Sequence, residues 1–294
     1  MKPFGMRYCL GAALLLTLFQ GSLRADILIY EGARIANVIN TISSAGAVTP
    51  FITSGINNPQ GLIMGQDGNL YEDDRNTGSL LEITTGGSIS TFATGLGSPV
   101  GLVQDSSGNF YVSDNSIGRI DKITPGGVVS DFSDFAAGMQ GMAIDPSGNL
   151  YVGDNSSNEV WKVTPGGVAS VFASAGLSTP SFMVYDPNDQ NLYVSDFNNN
   201  RIVKINSSGV ITSWVTGLNG PQALGFDPST GDLYEVDRNS SSINMITPGG
   251  VVTLFASGTG GPSGGIIVLP EPSTWVMTIT GFVMLLGVAA RRRY

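Results

Sequence analysis

Gly141-Met142-Ala143-Ile144-Asp145-Pro146-Ser147-Gly148-Asn149-Leu150-Tyr151-Val152-Gly153-Asp154 reads as two short apolar runs joined by a Pro-Ser-Gly turn. A polar loop leads to Glu159-Val160-Trp161-Lys162-Val163, then Thr164-Pro165-Gly166-Gly167, then Val168-Ala169-Ser170-Val171-Phe172. Pro presets φ and Gly accepts φ > 0, so Thr-Pro-Gly-Gly is a turn. Four short strands, A to D, therefore fill one unit of about 40 residues.

The unit recurs along the chain. Tyr30, Tyr71, Tyr111, Tyr151, Tyr193 and Tyr234 mark strand B, at spacings of 41, 40, 40, 42 and 41. An aromatic marks strand D at the same spacings: Phe51, Phe92, Phe132, Phe172, Trp214 and Phe255. A β-branched residue stands 12 positions after each Tyr: Ile42, Ile83, Ile123, Val163, Ile205 and Ile246. Short strands, Gly/Pro turns and this period read as propeller blades. Helical periodicity is absent between the two ends of the chain. The repeats begin at strand B near Ile27 and end on an unaccompanied strand A, Gly264-Gly265-Ile266-Ile267-Val268. A closed ring needs that mismatch, because the last strand completes the first blade and removes the exposed edges. The expectation is an all-β, six-bladed β-propeller over 26–269, closed by the C-terminal strand pairing into the first blade.

These phrases resemble NHL-repeat propellers. Pro59-Gln60-Gly61-Leu62 and Pro99-Val100-Gly101-Leu102 match one NHL phrase, Gly148 to Asp154 a second, and Arg119 to Ile123 and Arg201 to Ile205 a third. Blade 1 departs furthest, with Ala33 where the others carry Asp. The resemblance implies architecture; propellers host many unrelated activities.

The two ends read as addresses. Lys2 and Arg7, the apolar run Leu10 to Phe19, and cleavage after Ala25 make 1–25 a secretory signal peptide, with an uncleaved anchor as the alternative. Cys9 lacks a lipobox, so removal of the peptide leaves no thiol. At the other end, Pro270, Glu271 and Pro272 precede an apolar helix over 275–290 and the cluster Arg291, Arg292, Arg293. Sixteen helical residues span about 24 Å, a little under the ~30 Å hydrocarbon core. Trp275 fits one interface and the arginines the cytoplasmic one. This order resembles the PEP-CTERM sorting signal of Gram-negative bacteria over 270–294. The resemblance implies a Sec-type export route, transient residence in the inner membrane, an exosortase-like sorting enzyme, and delivery to the cell surface or extracellular matrix. A plain C-terminal anchor is the alternative.

Composition narrows the chemistry. The chain of 294 residues has no His, one Cys and a net charge of −9. His-based triads, His metal sites and multi-Cys zinc sites are excluded. Between Asp26 and Leu269 there are 8 basic and 22 acidic residues, a net −14, which argues against nucleic acid as a partner. Five blades end strand B in Asp: Asp74, Asp114, Asp154, Asp196 and Asp237. Propeller geometry places them on one face, where they read either as a Ca²⁺ or polar-ligand ring or as Asx turns folded onto the following amides. Their recurrence in blade after blade favours the turns. Trp161, at an otherwise often polar position, reads as a sugar-stacking surface or as partial burial.

Propellers of the gluconolactonase-like kind use a channel metal held by Glu, Asn and Asp, and no matching Glu constellation stands out here. Streptogramin-lyase-like propellers depend on His. The adjacent Asp73 and Asp74 point to opposite faces of their strand, so they do not pair. The expected function is therefore an exported binding or scaffold module, with exopolysaccharide or matrix components as the ligand class implied by the sorting-signal resemblance. The alternative is a metal-dependent hydrolase or lactonase with its site in the central channel.

Overall fold

A computed structural model describes residues 27–270, apart from 136–137 and 262–263. The signal peptide, Glu271, Pro272, Trp275 and the terminal arginines lie outside the described residues. Among the described residues no helix is long and apolar enough to cross a membrane.

Six antiparallel four-stranded sheets make the six blades. In blade 1, β1 (Ile27–Ala33), β2 (Val38–Ser43) and β3 (Val48–Ile52) are strands B, C and D. Blade 2 is β4 (Pro59–Met64), β5 (Leu70–Asp74), β6 (Ser79–Ile83) and β7 (Ile89–Thr94). Blade 3 is β8 (Pro99–Gln104), β9 (Phe110–Asp114), β10 (Arg119–Ile123) and β11 (Val129–Asp134). Blade 4 is β12 (Met139–Ile144), β13 (Leu150–Asp154), β14 (Glu159–Val163) and β15 (Ala169–Ala173). Blade 5 is β16 (Pro180–Asp186), β17 (Asn191–Asp196), β18 (Arg201–Ile205) and β19 (Ile211–Thr216). Blade 6 is β20 (Pro221–Phe226), β21 (Leu233–Asp237), β22 (Ser242–Ile246) and β23 (Val252–Ser257). The ring then closes as expected. β24 (Ile266–Pro270) pairs antiparallel with β1, with Ile29 opposite Val268, and supplies the missing strand A of blade 1.

The repeated residues explain why each unit folds alike. Every strand-B Tyr meets the strand-D aromatic of its own blade edge-on, from 4.8 Å for Tyr111–Phe132 to 5.4 Å for Tyr30–Phe51. The pair spans strand C, whose Lys122, Lys162 or Lys204 lies over the Tyr ring in blades 3 to 5. These landmarks are thus first an intra-blade clasp. Contacts between blades come second, as in Tyr71–Phe110 at 4.4 Å. Apolar clusters bridge neighbouring blades; one joins Tyr71 and Leu80 of blade 2 to Phe110, Val112 and Ile123 of blade 3.

Strand A packs closely on its neighbours around the axis, and that sets its Gly. A Cβ on Gly101 would sit 2.7 Å from the Gln140 carbonyl oxygen of the next blade. Below this level the channel is apolar, a cavity of about 390 Å³ lined by residues such as Leu62, Met64, Met142, Met183, Leu224 and Ile266.

Candidate functional site

The loops between strands B and C meet the D–A connections on one face. Each strand-B Asp is buried there and turned into its own scaffold. Asp114 accepts the Ser98 amide at 2.9 Å, the Ser116 amide at 3.1 Å and the Gly97 amide. Asp74 accepts the Asn57 amide at 2.7 Å, Asp196 the Ser178 amide at 2.7 Å and Asp237 the Asn219 amide at 2.8 Å. Asp154 accepts the Ser156 amide at 2.8 Å and the Ser157 hydroxyl at 2.8 Å. Asp74, Asp114, Asp196 and Asp237 tie the D–A connection to strand B by accepting its N–H groups, whereas Asp154 binds within its own B–C loop. The five do not present an open acidic ring. Among the described residues no three Asp, Glu, His or Cys side chains gather to hold a metal ion. Trp161 is half-buried and packs edge-on against Phe135, with ring centroids 5.6 Å apart.

The chemistry of this face comes instead from the residue four after each Tyr. It is Arg34, Arg75 and Arg238 in blades 1, 2 and 6, and Asn115, Asn155 and Phe197 in blades 3, 4 and 5. The same three Arg-bearing blades carry Glu directly after the Tyr: Glu31, Glu72 and Glu235, against Val112, Val152 and Val194. Tyr-Glu-x-x-Arg thus marks half the ring. Ring closure makes the three blades contiguous, since β24 packs between β20 and β4.

The arginines converge with Gln60, Gln140 and Gln222 on a polar cavity of about 360 Å³ at the channel mouth. All three are half-buried. Burial and the charges of Arg75 and Arg238 pull the Arg34 pKa down. Arg75 donates from Nε to the Ser98 hydroxyl at 2.7 Å, and the Arg238 guanidinium lies 5.9 Å from the Phe197 ring centroid. The Gln222 side chain is 5% exposed, and its Oε1 has no hydrogen-bond partner.

The glutamates lie deeper, fully buried within the blades. Burial pushes the Glu31 carboxyl up to about 8, although the Asn40 amide at 2.9 Å pulls it back. Burial first, then the charges of Asp73 and Asp74, holds Glu72 well above the usual carboxylate range. Burial and then Asp237 do the same to Glu235. Burial thus disfavours the charged form of all three. A repeat-by-repeat reading for shared residues passed over both the Arg and the Glu positions, because both are departures from the consensus.

The mouth offers guanidinium and amide donors and amide acceptors. Arginine stays protonated and transfers no proton at ordinary pH. Ser156 is the hydroxyl in the lining; its Oγ donates to Asn155 Oδ1 at 3.5 Å, and its amide to Asp154.

A model of the virginiamycin B lyase family matches residues 48–281. The chain belongs to the virginiamycin B lyase family. Among solved structures, it is similar to the virginiamycin B lyase of Staphylococcus aureus in its selenomethionine form. That match has 20% identity over 79% of this chain and 82% of that one, with a TM-score of 0.63. A catalytically inactive His-to-Ala variant of that enzyme, solved with quinupristin, gives 19% identity, the same coverages and the same TM-score. A propeller from a nidogen/laminin complex matches at 19% identity over 84% of this chain and all of that one, with a TM-score of 0.74. At these identities the structures show a shared fold. No curated protein sequence matches the chain. Family membership sits beside a complete absence of His in this member.

Proposed function

We propose that the protein is an exported, non-catalytic member of its lyase family that binds a ligand at the channel mouth between its B–C loops. One observation carries this reading: the mouth gathers arginines and amides from blades 1, 2, 3, 4 and 6 around a cavity, with no group poised for acid, base or nucleophilic work. The Staphylococcus aureus lyase is inactive when one His is replaced by Ala, and this chain has no His to supply such a role. The nidogen/laminin propeller, from a protein–protein complex, is a precedent for this fold in recognition. We further read 1–25 as a signal peptide and 270–294 as a PEP-CTERM-like sorting signal that places the propeller at the cell surface or in the matrix.

The test is a screen of the purified protein against glycans and small metabolites for binding, in parallel with turnover of a streptogramin B and of lactones. Saturable binding that is lost when Gln222 and Arg75 are replaced, with no turnover, is the expected result. Turnover above background, whether or not it survives metal chelation, would overturn the reading. For sorting, Glu271→Ala with Pro272→Ala leaves β24 intact and is expected to hold the protein in the membrane fraction. Unchanged fractionation would reject the signal.

A further inference from the structure

The arginines at the mouth differ from Arg119 and Arg201, the other arginines of the described chain, in one respect. Arg119 is 2.7 Å from both Asp121 and Asp131, Arg201 is 2.7 Å from Asp196, and Lys204 is 3.5 Å from Asp189. Arg34, Arg75 and Arg238 have no ion pair among the described residues, in a body carrying 22 acidic side chains. Like charges brought together without a counter-ion destabilise the free protein, and an anion relieves that repulsion.

Two further observations define what the anion belongs to. The charge covers only half the mouth, because Asn115, Gln140 and Asn155 of blades 3 and 4 line the opposite side. Those amides suit hydroxyl groups, donating and accepting at once. Gln222 lines the cationic side of the cavity and is almost fully buried. A cavity of about 360 Å³ has room for a small ligand or a chain end.

Resting on the binding reading above, we propose that the ligand is an acidic sugar. Its anionic group sits among Arg34, Arg75 and Arg238, and its hydroxyls meet Gln222 and the amides across the mouth. Guanidinium forks hold carboxylate or ester sulfate through charge-assisted pairs of hydrogen bonds. The deviation of blades 6, 1 and 2 from the repeat is then the specificity element of the propeller.

The experiment is isothermal titration of the full-length purified chain with four probes. These are a galacturonate trisaccharide, its methyl ester, a sulfated trisaccharide of the same length, and inorganic sulfate. The account expects a charged trisaccharide to bind and the methyl ester to bind at least about tenfold more weakly. Tighter binding of the galacturonate assigns the acid as carboxylate, and of the sulfated sugar as sulfate. Arg34→Gln, Arg75→Gln and Arg238→Gln each weaken binding by about tenfold or more, with thermal midpoints unchanged or raised because repulsion is relieved. Gln222→Glu, which adds a negative charge to the mouth, serves as a second variant and weakens binding likewise.

Equal binding of the ester and the acid would overturn the acidic-sugar inference while leaving the mouth a ligand site. Inorganic sulfate binding as tightly as the sugars would overturn the sugar half. Failure of all three trisaccharides would overturn this inference, while the binding reading falls only if the wider glycan and metabolite screen also finds no ligand.

Discussion

Glu31 shows how a single residue links the fold to a measurable pH dependence. Its carboxyl is fully buried beside Asn40 and is pushed up to about 8, from an ordinary value near 4.5. The folded state therefore holds a proton that the unfolded chain releases at lower pH. The associated stability is fully present below about pH 4.5 and is lost as pH rises through about 8. Glu72 and Glu235 shift in the same direction, so their contributions add. The denaturation midpoint is expected to fall as pH rises from about 5 to about 8.5. Replacing all three with Gln, which keeps an acceptor for Asn40 and Asn244, flattens that slope. An unchanged slope in the triple variant would contradict the assignment.

At the scale of elements, β24 and strand B of each blade carry the architecture. β24 fills the edge of β1 through five paired positions, and Gly264 and Gly32 add a backbone hydrogen bond of 3.1 Å. Deleting 264–270 strips blade 1 of strand A and leaves the β1 edge open. The expected outcome is loss of the single cooperative thermal transition and rapid proteolysis in blade 1. A truncated chain that melts like the intact one would show that closure is dispensable. This element was legible in the sequence because a leftover strand A has one place to go in a ring. The blades were legible because Tyr, the strand-D aromatic and the β-branched residue recur in register. The aromatic partner was less so: Tyr111 and Phe132 meet across strand C of one blade, and spacing alone does not distinguish that from contact between blades. The Asp on strand B was legible only in part: Asp74, Asp114 and Asp154 accept following amides as turn residues do, whereas Asp196 and Asp237 accept amides of the preceding D–A connection.

For the whole molecule, the informative residues are those that break the repeat. Arg238 and Arg34 are far apart in sequence and become neighbours only when blade 6 meets blade 1. A repeat-by-repeat comparison averages them away, and only the closed ring shows that the deviant blades are contiguous. The same closure turns a net body charge of −14 into a surface with one unpaired cationic half-ring at the channel mouth. Family membership fits the ring, and this member of the family carries no His.

If the channel mouth binds anions, a crystal structure of the protein grown with selenate shows an anomalous selenium peak within hydrogen-bonding distance of the guanidinium groups of Arg34, Arg75 and Arg238. Selenate bound elsewhere, with only water among those three arginines, would contradict anion binding at the mouth.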